Sequence, residues 1–454
     1  MRRLVTVLAV PLLLLTATAP AQVQTPAAAR PNIVLIMSDD MGYGDLSSYG
    51  AKDIKTPNID SLGRDGVRLT DFYSNGVLCS PTRAGLISGR YQQRYVIENA
   101  LGGEGTRGLK VTDASLPRVL KNNGYVTALM GKWHLGGTPD VSAMAHGFDH
   151  FFGFLAGYID HYQHNRGPNQ PDLWENDKPI TQDGYMTDLI TERTIGFIER
   201  TAAAGRPFFV DVAYNAPHWP YQPPDMPSVA PGNARHVMPN DAGTSTRADY
   251  AAMVERVDRG VGQILRALEQ RGLARNTIVI FTNDNGGEWL ANNRPLFNRK
   301  LTTWEGGIRV PALIRWPGRI PRGRVSRQVG ITMDLTASML SAAGVTPPPS
   351  YRPEGIDLIP LLEGRRTIER TLFWRTQAPG RLQRAARRGR WKYLRDGGTR
   401  TGGGYELLFD LERDVGERRD LAVANPSMVT EFRKLVTAWE AEVDSSRAAL
   451  ASSP

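Results

Sequence analysis

One cysteine stands in 454 residues, so no intrachain disulfide can form and a buried core, not cross-links, must hold the fold. Long apolar runs are equally scarce. The most extended one, residues 4–15, contains Pro11 and falls short of the ~20 residues that a membrane helix needs. This argues against stable membrane insertion, although a retained N-terminal anchor is compatible with it. Arg2 and Arg3 precede that run, no acidic residue does, and Ala19-Pro20-Ala21 offers a small-residue cleavage site. Residues 1–21 are therefore predicted to be an export signal, which places the mature chain in the periplasm or outside the cell. Dense blocks of one charge are also missing. The formal charge is +9, two units of it from Arg2 and Arg3, and the rest is spread along the chain. That balance favours anionic small molecules or glycans and gives no reason to expect nucleic acid. A lone thiol in an oxidising compartment is either a small buried hydrophobe or a residue kept for its chemistry.

The segments that are present share one grammar: a short apolar β-rich run that stops at polar residues and is followed by a helical or Gly/Pro-rich stretch. Residues 32–37, 125–130, 207–213 and 277–281 are nearly continuous in apolar residues, as strands covered on both faces should be. Helices are predicted over 116–122, 187–200 and 250–271, where apolar residues recur at helical spacing. The composition shifts to proline at 345–350 and becomes arginine-rich after Gly364. Antiparallel strands are predicted there at 371–375, 385–394 and 405–410, with a closing helix over 426–445. The fold class is thus α/β, a main domain over 22–364 followed by a smaller α+β domain over 365–454 that carries an antiparallel sheet. No internal repeat is present.

Chemistry concentrates just past the strands. Asp39 and Asp40 follow the first, Lys132 and His134 the second, His218 the third, Asp284 and Asn285 the fourth. If the strands are parallel, all of these leave on one edge of the sheet, where open α/β folds bind ligands. Asp39, Asp40, Asp284 and Asn285 offer only oxygen donors, which suits Ca2+, with Mg2+ second, and argues against zinc. Asp39-Asp40 alone fits a turn or helix cap as well as a metal site. The second pair, Asp284-Asn285 before two glycines, tips the balance.

The run Cys79-Ser80-Pro81-Thr82-Arg83 reads as a helix start, with Ser80 as N-cap and Pro81 at the first helical position. The positive end of a helix would favour an anion and lower the pKa of the thiol, and Arg83 lies one turn on.

The segment from Cys79 to Arg90 resembles the signature of the type I, formylglycine-dependent sulfatases, in which the Cys of Cys-X-Pro-X-Arg is oxidised to formylglycine. The resemblance continues in Asp39-Asp40-Met41-Gly42, Gly131-Lys132-Trp133-His134, Asn215-Ala216-Pro217-His218, Asp284-Asn285-Gly286, Lys300 and Glu305 through Pro311, and Tyr405 through Leu411. It implies an alkaline-phosphatase-like fold, a large mixed sheet flanked by helices. It also implies that Asp39, Asp40, Asp284 and Asn285 hold the metal together with an oxygen made from Cys79, and that Arg83, Lys132 and Lys300 surround the sulfate. The hydrate of the aldehyde would attack sulfur, and its second hydroxyl would then expel sulfate. His134 would be the base for that release, and His218 with Lys300 would protonate the leaving alcohol. The resemblance further implies a formylglycine-generating enzyme as maturation partner and an aryl or carbohydrate sulfate ester as substrate, with N-acetylgalactosamine-6-sulfatases and arylsulfatases as the most similar branches.

His161 and His164 sit in a polar-aromatic loop that either lines the substrate pocket or covers the sheet edge. His146, His150 and His236 are assigned structural or surface roles. Substrate specificity is expected from loops 158–177 and 219–240. The arginine-rich stretch 381–395 is interspersed with Trp391, Tyr393 and Leu394, so it reads as a solvated strand face, with attraction to a sulfated polysaccharide second. Two alternatives compete with the sulfatase reading: a phosphate or phosphonate ester hydrolase of the same architecture, and an inactive sulfated-glycan-binding protein. Loss of catalysis should show first as missing motif members, and all are present.

Overall fold

The computed structural model describes residues 30–110, 115–225, 245–364, 366–378, 381–397 and 404–451. Residues 1–21, expected to be an export signal, His236 and most of the 219–240 loop lie outside the described residues.

All four expected core strands form, within two residues of the expected ends: Asn32–Ser38, Val126–Lys132, Phe208–Ala213 and Thr277–Asn283. They make the centre of a ten-stranded sheet. Thr277–Asn283, Asn32–Ser38, Phe208–Ala213, Val126–Lys132 and His150–Phe154 lie side by side and parallel. Beyond Thr277–Asn283 the antiparallel Ala312–Arg315 is added, then Val67–Leu69 and Arg324–Ser326. The other edge ends in the short antiparallel Trp174–Glu175 and Lys178–Pro179. The sheet is therefore mixed, with a parallel centre.

Alternate residues of each central strand feed two separate cores, which is why these runs are apolar throughout. Ile33, Leu35 and Met37 pack with helices Cys79–Ser88, Leu116–Asn122 and Thr332–Ala342. Val34 and Ile36 face the opposite layer, built from Pro57–Arg64, Met186–Ala203 and Arg247–Gln270. The last of these starts where Thr246 Oγ1 accepts the Asp249 N–H while the Asp249 carboxylate accepts the Thr246 N–H, a reciprocal cap. Gly131 is required at the end of its strand, because a Cβ there would lie 1.9 Å from the Ala213 carbonyl oxygen and its φ is +118°. No helix among the described residues is long and apolar enough to cross a membrane.

The C-terminal part forms a four-stranded antiparallel sheet, Thr371–Ala378, Arg381–Arg388, Trp391–Asp396 and Tyr405–Asp410, in sequential order. Helix Pro426–Ala451 closes it, with Phe432 and Val436 against Ala386, Tyr393 and Leu408. Further along, Trp439 and Val443 pack with Trp374, Tyr73 and Leu78, so the small sheet is tied to the residue before Cys79.

Two expectations are corrected here. The single strand expected over 385–394 is a tight hairpin: Arg388 pairs with Trp391, and Gly389 between them takes φ +56°, the left-handed value that two-residue turns demand. The arginine-rich stretch is a solvated face only in part: Arg395 is exposed and Arg388 and Arg390 are about a third exposed, but other members are paired inside. Arg387 is buried and donates to Asp71 at 2.7 Å, Arg384 donates to Glu440 at 2.7 Å, and Lys392 is fully buried between Glu305 and Glu417 at 2.9 and 2.7 Å. These charges join the small sheet to the main domain and to its closing helix.

Candidate active site

Because the central strands run parallel, the residues expected past their ends gather on one edge. Asp39 and Asp40 leave Asn32–Ser38 directly beside Asp284 and Asn285, which leave the neighbouring Thr277–Asn283. The backbone N–H of Asp40 donates to Asp284 Oδ1 at 3.3 Å, and Asp40 takes φ +62° to make the turn. Asn283, which the sequence reading passed over, pins this loop: its Oδ1 accepts from Ser38 Oγ at 2.9 Å and from the Met41 N–H at 3.2 Å.

Three carboxylates and three cations interleave in this buried space. Lys132 Nζ donates to Asp39 Oδ2 at 2.5 Å, Arg83 Nη2 to Asp284 Oδ2 at 3.0 Å, and Lys300 Nζ to Asp40 Oδ2 at 2.6 Å. Burial pushes the Asp39 carboxyl well above the usual carboxylate range, and Asp284 and Asp40 add to this more than Lys132 and Arg83 relieve it. Asp40 is also buried, yet Lys300 and then His218 hold it down at about 2. Asp39, Asp40 and Asp284 bring one oxygen each within 4.8 Å of one another, and Asp39 Oδ1 and Asn285 Oδ1 are buried with no hydrogen-bond partner among the described residues. Crowded carboxylates and orphaned oxygens fit a hard divalent cation, whose charge would reverse the upward shift on Asp39.

Cys79 opens the helix Cys79–Ser88, so the expected helix end is there, but its chemistry differs from the expectation. Ser80 is not the cap. It lies inside the helix, its Oγ accepts the Leu101 N–H at 2.9 Å, and Leu78 takes the capping position without a side-chain bond. Nor is the thiol acidified: complete burial pushes it up to about 11, against the pull of Lys132 and Lys300. Desolvation outweighs the helix end.

The two histidines flank Cys79 in one cavity of about 520 Å³, which Lys300 also lines. His134 Nε2 lies 2.7 Å from the Leu101 carbonyl. A carbonyl only accepts, so Nε2 carries the proton. Burial, reinforced by Lys132, keeps the ring neutral, and Nδ1 is left bare without a partner among the described residues. In His218 the arrangement is reversed. Nδ1 donates to the Trp219 carbonyl at 2.6 Å, and Nε2 faces Lys300 Nζ at 3.4 Å and Asp40 Oδ2 at 3.4 Å. Burial lowers its pKa well below the usual value, with Asp40 opposing.

Every expected site residue (Asp39, Asp40, Cys79, Arg83, Lys132, His134, His218, Asp284, Asn285 and Lys300) is brought to this place. His161 and His164 do not line the cavity: His161 stacks on Tyr185 and contacts Asn215, and His164 Nε2 bonds the Gly184 carbonyl at 3.1 Å. Their role is to fix the loop. His146 is buried against Trp133, whereas His150 sits exposed at a strand start. The cavity walls add Glu288 and Trp289, which the sequence reading missed, along with Tyr158, Arg166 and Trp219 from the expected specificity loops. The signal for Glu288 was its place directly after Gly286-Gly287, in line with the metal-site pair.

Comparison with known proteins agrees with this geometry. The family model described as Sulfatase matches residues 31–345. N-acetylgalactosamine-6-sulfatase of Canis lupus familiaris is 36% identical over 392 residues, covering 80% of this chain and 72% of its own. Arylsulfatase G of Rattus norvegicus is 31% identical, covering 90% of this chain and 85% of its own. The solved structure of Ps i-CgsB in complex with k-i-k-neocarrahexaose is 30% identical, with a TM-score of 0.81 over 90% of this chain and 92% of that one. The large mixed sheet with its small antiparallel companion is accordingly the alkaline-phosphatase-like fold, and the chain belongs to the sulfatase family, enzymes that hydrolyse sulfuric esters.

Proposed function

We propose that this sulfatase acts on sulfate monoesters of saccharides, that Cys79 is converted to formylglycine by a formylglycine-generating enzyme, and that Asp39, Asp40, Asp284, Asn285 and the modified residue 79 hold Ca2+. The chemistry belongs to residues 22–364, residues 365–454 form the smaller domain, and the chain works after export. The observation that carries the reading is the convergence of Asp39, Cys79 and His218, whose ligand atoms all lie within 4.8 Å of one another, on the metal-type cluster of Asp39, Asp40 and Asp284. The saccharide class is supported by one relative named N-acetylgalactosamine-6-sulfatase and another solved in complex with a neocarrahexaose.

Formylglycine supplies, as its hydrate, one hydroxyl to attack sulfur and a second through which the aldehyde is regenerated; the cation supplies charge that favours an ionised oxygen at neutral pH. The chain's own residues do the rest. Arg83, Lys132 and Lys300, all three buried, bind sulfate oxygens and stabilise charge where little water screens them. His134 offers its bare Nδ1 as base, with the ring locked by the Leu101 carbonyl. His218 and Lys300 share the proton that the leaving alcohol needs, since an arriving anionic ester raises the pKa of a buried imidazole beside it. Selecting Ca2+ over Mg2+ follows from the number of protein oxygens, because Mg2+ keeps more of its waters.

The test is turnover of matched aryl sulfate and aryl phosphate esters by protein modified at residue 79. Preference for the sulfate is expected. Preference for the phosphate would move the chain to the alternative hydrolase class, and binding without turnover of either to the glycan-binding class.

A further inference from the structure

The cations paired with the carboxylates do not exhaust the positive charge of the cavity above Cys79. Arg166 lines it as well, presented by a loop whose turn is closed by the Arg166 N–H donating to the Gln170 carbonyl at 2.9 Å. Arg83, Lys132 and Lys300 each touch a buried carboxylate at 3.0 Å or less. Arg166 is differently placed. Its Nε is buried with no hydrogen-bond partner among the described residues, and of the two acids near it the buried Asp172 feels its charge without forming an ion pair with it, while Glu104 is 3.8 Å away and 57% exposed. An ion pair that long and that solvated neutralises little. The Arg166 side chain as a whole is 28% exposed and lines the cavity, which leaves it within reach of a ligand there.

Beside it the wall is aromatic. The Tyr158 and Trp219 rings lie 4.2 Å apart between centroids, and Trp289 is 47% exposed under the Arg299 guanidinium. Such faces cover a sugar ring and leave its polar groups to specific partners. The sulfate to be cleaved is already supplied with cations, so Arg166 faces a different part of the substrate. A guanidinium fork matches carboxylate and sulfate oxygens, whereas a sugar hydroxyl does not need one.

We infer that Arg166 is a specificity-determining residue that binds a second anionic group, a carboxylate or a further sulfate, on the saccharide whose sulfate ester lies over residue 79. The inference rests on the sulfatase reading of this cavity. It names the substrate class: saccharides carrying at least two negative charges.

Three disaccharide probes test it, one with a single sulfate and a neutral neighbour, one with a second sulfate, and one with a uronate as neighbour. Their inhibition of 4-nitrophenyl sulfate hydrolysis and their direct binding by calorimetry are measured on the full chain and on Arg166→Gln and Arg166→Lys. In the unsubstituted chain at least one doubly charged probe is expected to bind ~10-fold or more tightly than the monosulfated one. Arg166→Gln should weaken that probe about 10- to 100-fold and the monosulfated probe by about two-fold or less, with Arg166→Lys between them. Which doubly charged probe responds identifies the second anion. Equal affinities of all three probes, or an equal loss for all three in Arg166→Gln, overturns the inference. Absence of aryl sulfate hydrolysis with the affinity gap intact in calorimetry would instead fault the sulfatase reading and leave the second anion site standing.

Discussion

The Lys300 ammonium donates a 2.6 Å hydrogen bond to the buried Asp40 carboxylate. The same nitrogen lies 3.4 Å from His218 Nε2, so one cation links the metal-type cluster to the candidate acid. If that link delivers a proton to the leaving alcohol, its loss should depend on how much the leaving group needs one. Lys300→Ala and His218→Ala should each lower kcat for an alkyl or sugar sulfate by about 10²- to 10⁴-fold. For 4-nitrophenyl sulfate, whose phenolate leaves readily, the loss should be clearly smaller. Equal losses on both substrates would assign these residues to sulfate binding alone.

The crowding of Asp39, Asp40 and Asp284 calls for a cation. Chelation is expected to lower the unfolding free energy and calcium to restore it, by about 2.7 kcal/mol at a hundred times its Kd. Magnesium should restore less. Asp39→Asn and Asp284→Asn should abolish the calcium-dependent rise, a result that reads occupancy without relying on activity. A calcium response surviving in both variants would place the cation elsewhere.

Lys392 is the central charge of the contact between the two sheets. It is fully buried with Glu305 and Glu417, and Glu305 begins the short helix a few residues beyond Lys300. Lys392→Met leaves the buried Glu417 without its cation and Glu305 with Arg309 alone, and should cost roughly 3–5 kcal/mol of stability. Adding Glu305→Gln and Glu417→Gln to that variant should recover part of the loss. A single variant as stable as the parent would mean that the network contributes nothing.

His146 gives a pH dependence away from the cation site. It is buried, its Nε2 bonds the Leu109 carbonyl at 2.9 Å, Trp133 covers the ring, and Arg118 is the charge that faces it. Burial lowers its pKa from 6.5 to about 4, with Arg118 adding to that and the Leu109 bond opposing. The folded state therefore binds its proton less readily than the unfolded state. The stability this group contributes is complete above pH ~6.5 and is lost as pH falls toward 4. Comparing unfolding free energies of the parent and His146→Gln, the gap should narrow by about 2 kcal/mol between pH 7 and pH 5. A gap independent of pH would contradict the buried neutral imidazole.

Strand centres and the edge of the sheet were legible because both depend on local pattern. A run covered on both faces is apolar throughout, and parallel strands deliver the residues after them to one side, so Asp39, Lys132, His218 and Asp284 could be grouped from their positions in the chain alone. What depended on distant partners was not legible. Arg387 and Lys392 read as solvated because their acids, Asp71 and Glu305, are 316 and 87 residues away. The thiol of Cys79 read as acidic because a helix end is visible in sequence and complete burial is not. Gly389 was the exception: a glycine between two arginines did mark the hairpin, and the alternation of Trp391, Tyr393 and Leu394 obscured it. Trp289 escaped notice because no pattern distinguishes a cavity wall from any other loop, and Glu288 because its one signal, its place after Gly286-Gly287, reads equally well as the end of a turn.

The central claim is that residue 79 works as formylglycine, and intact and peptide mass spectrometry across that residue tests it most directly. Protein produced with a formylglycine-generating enzyme should show the mass of the aldehyde or its hydrate at residue 79, and aryl sulfate turnover should rise in proportion to that fraction. An unmodified thiol in protein that turns over sulfate esters, or full conversion with no turnover, would contradict it.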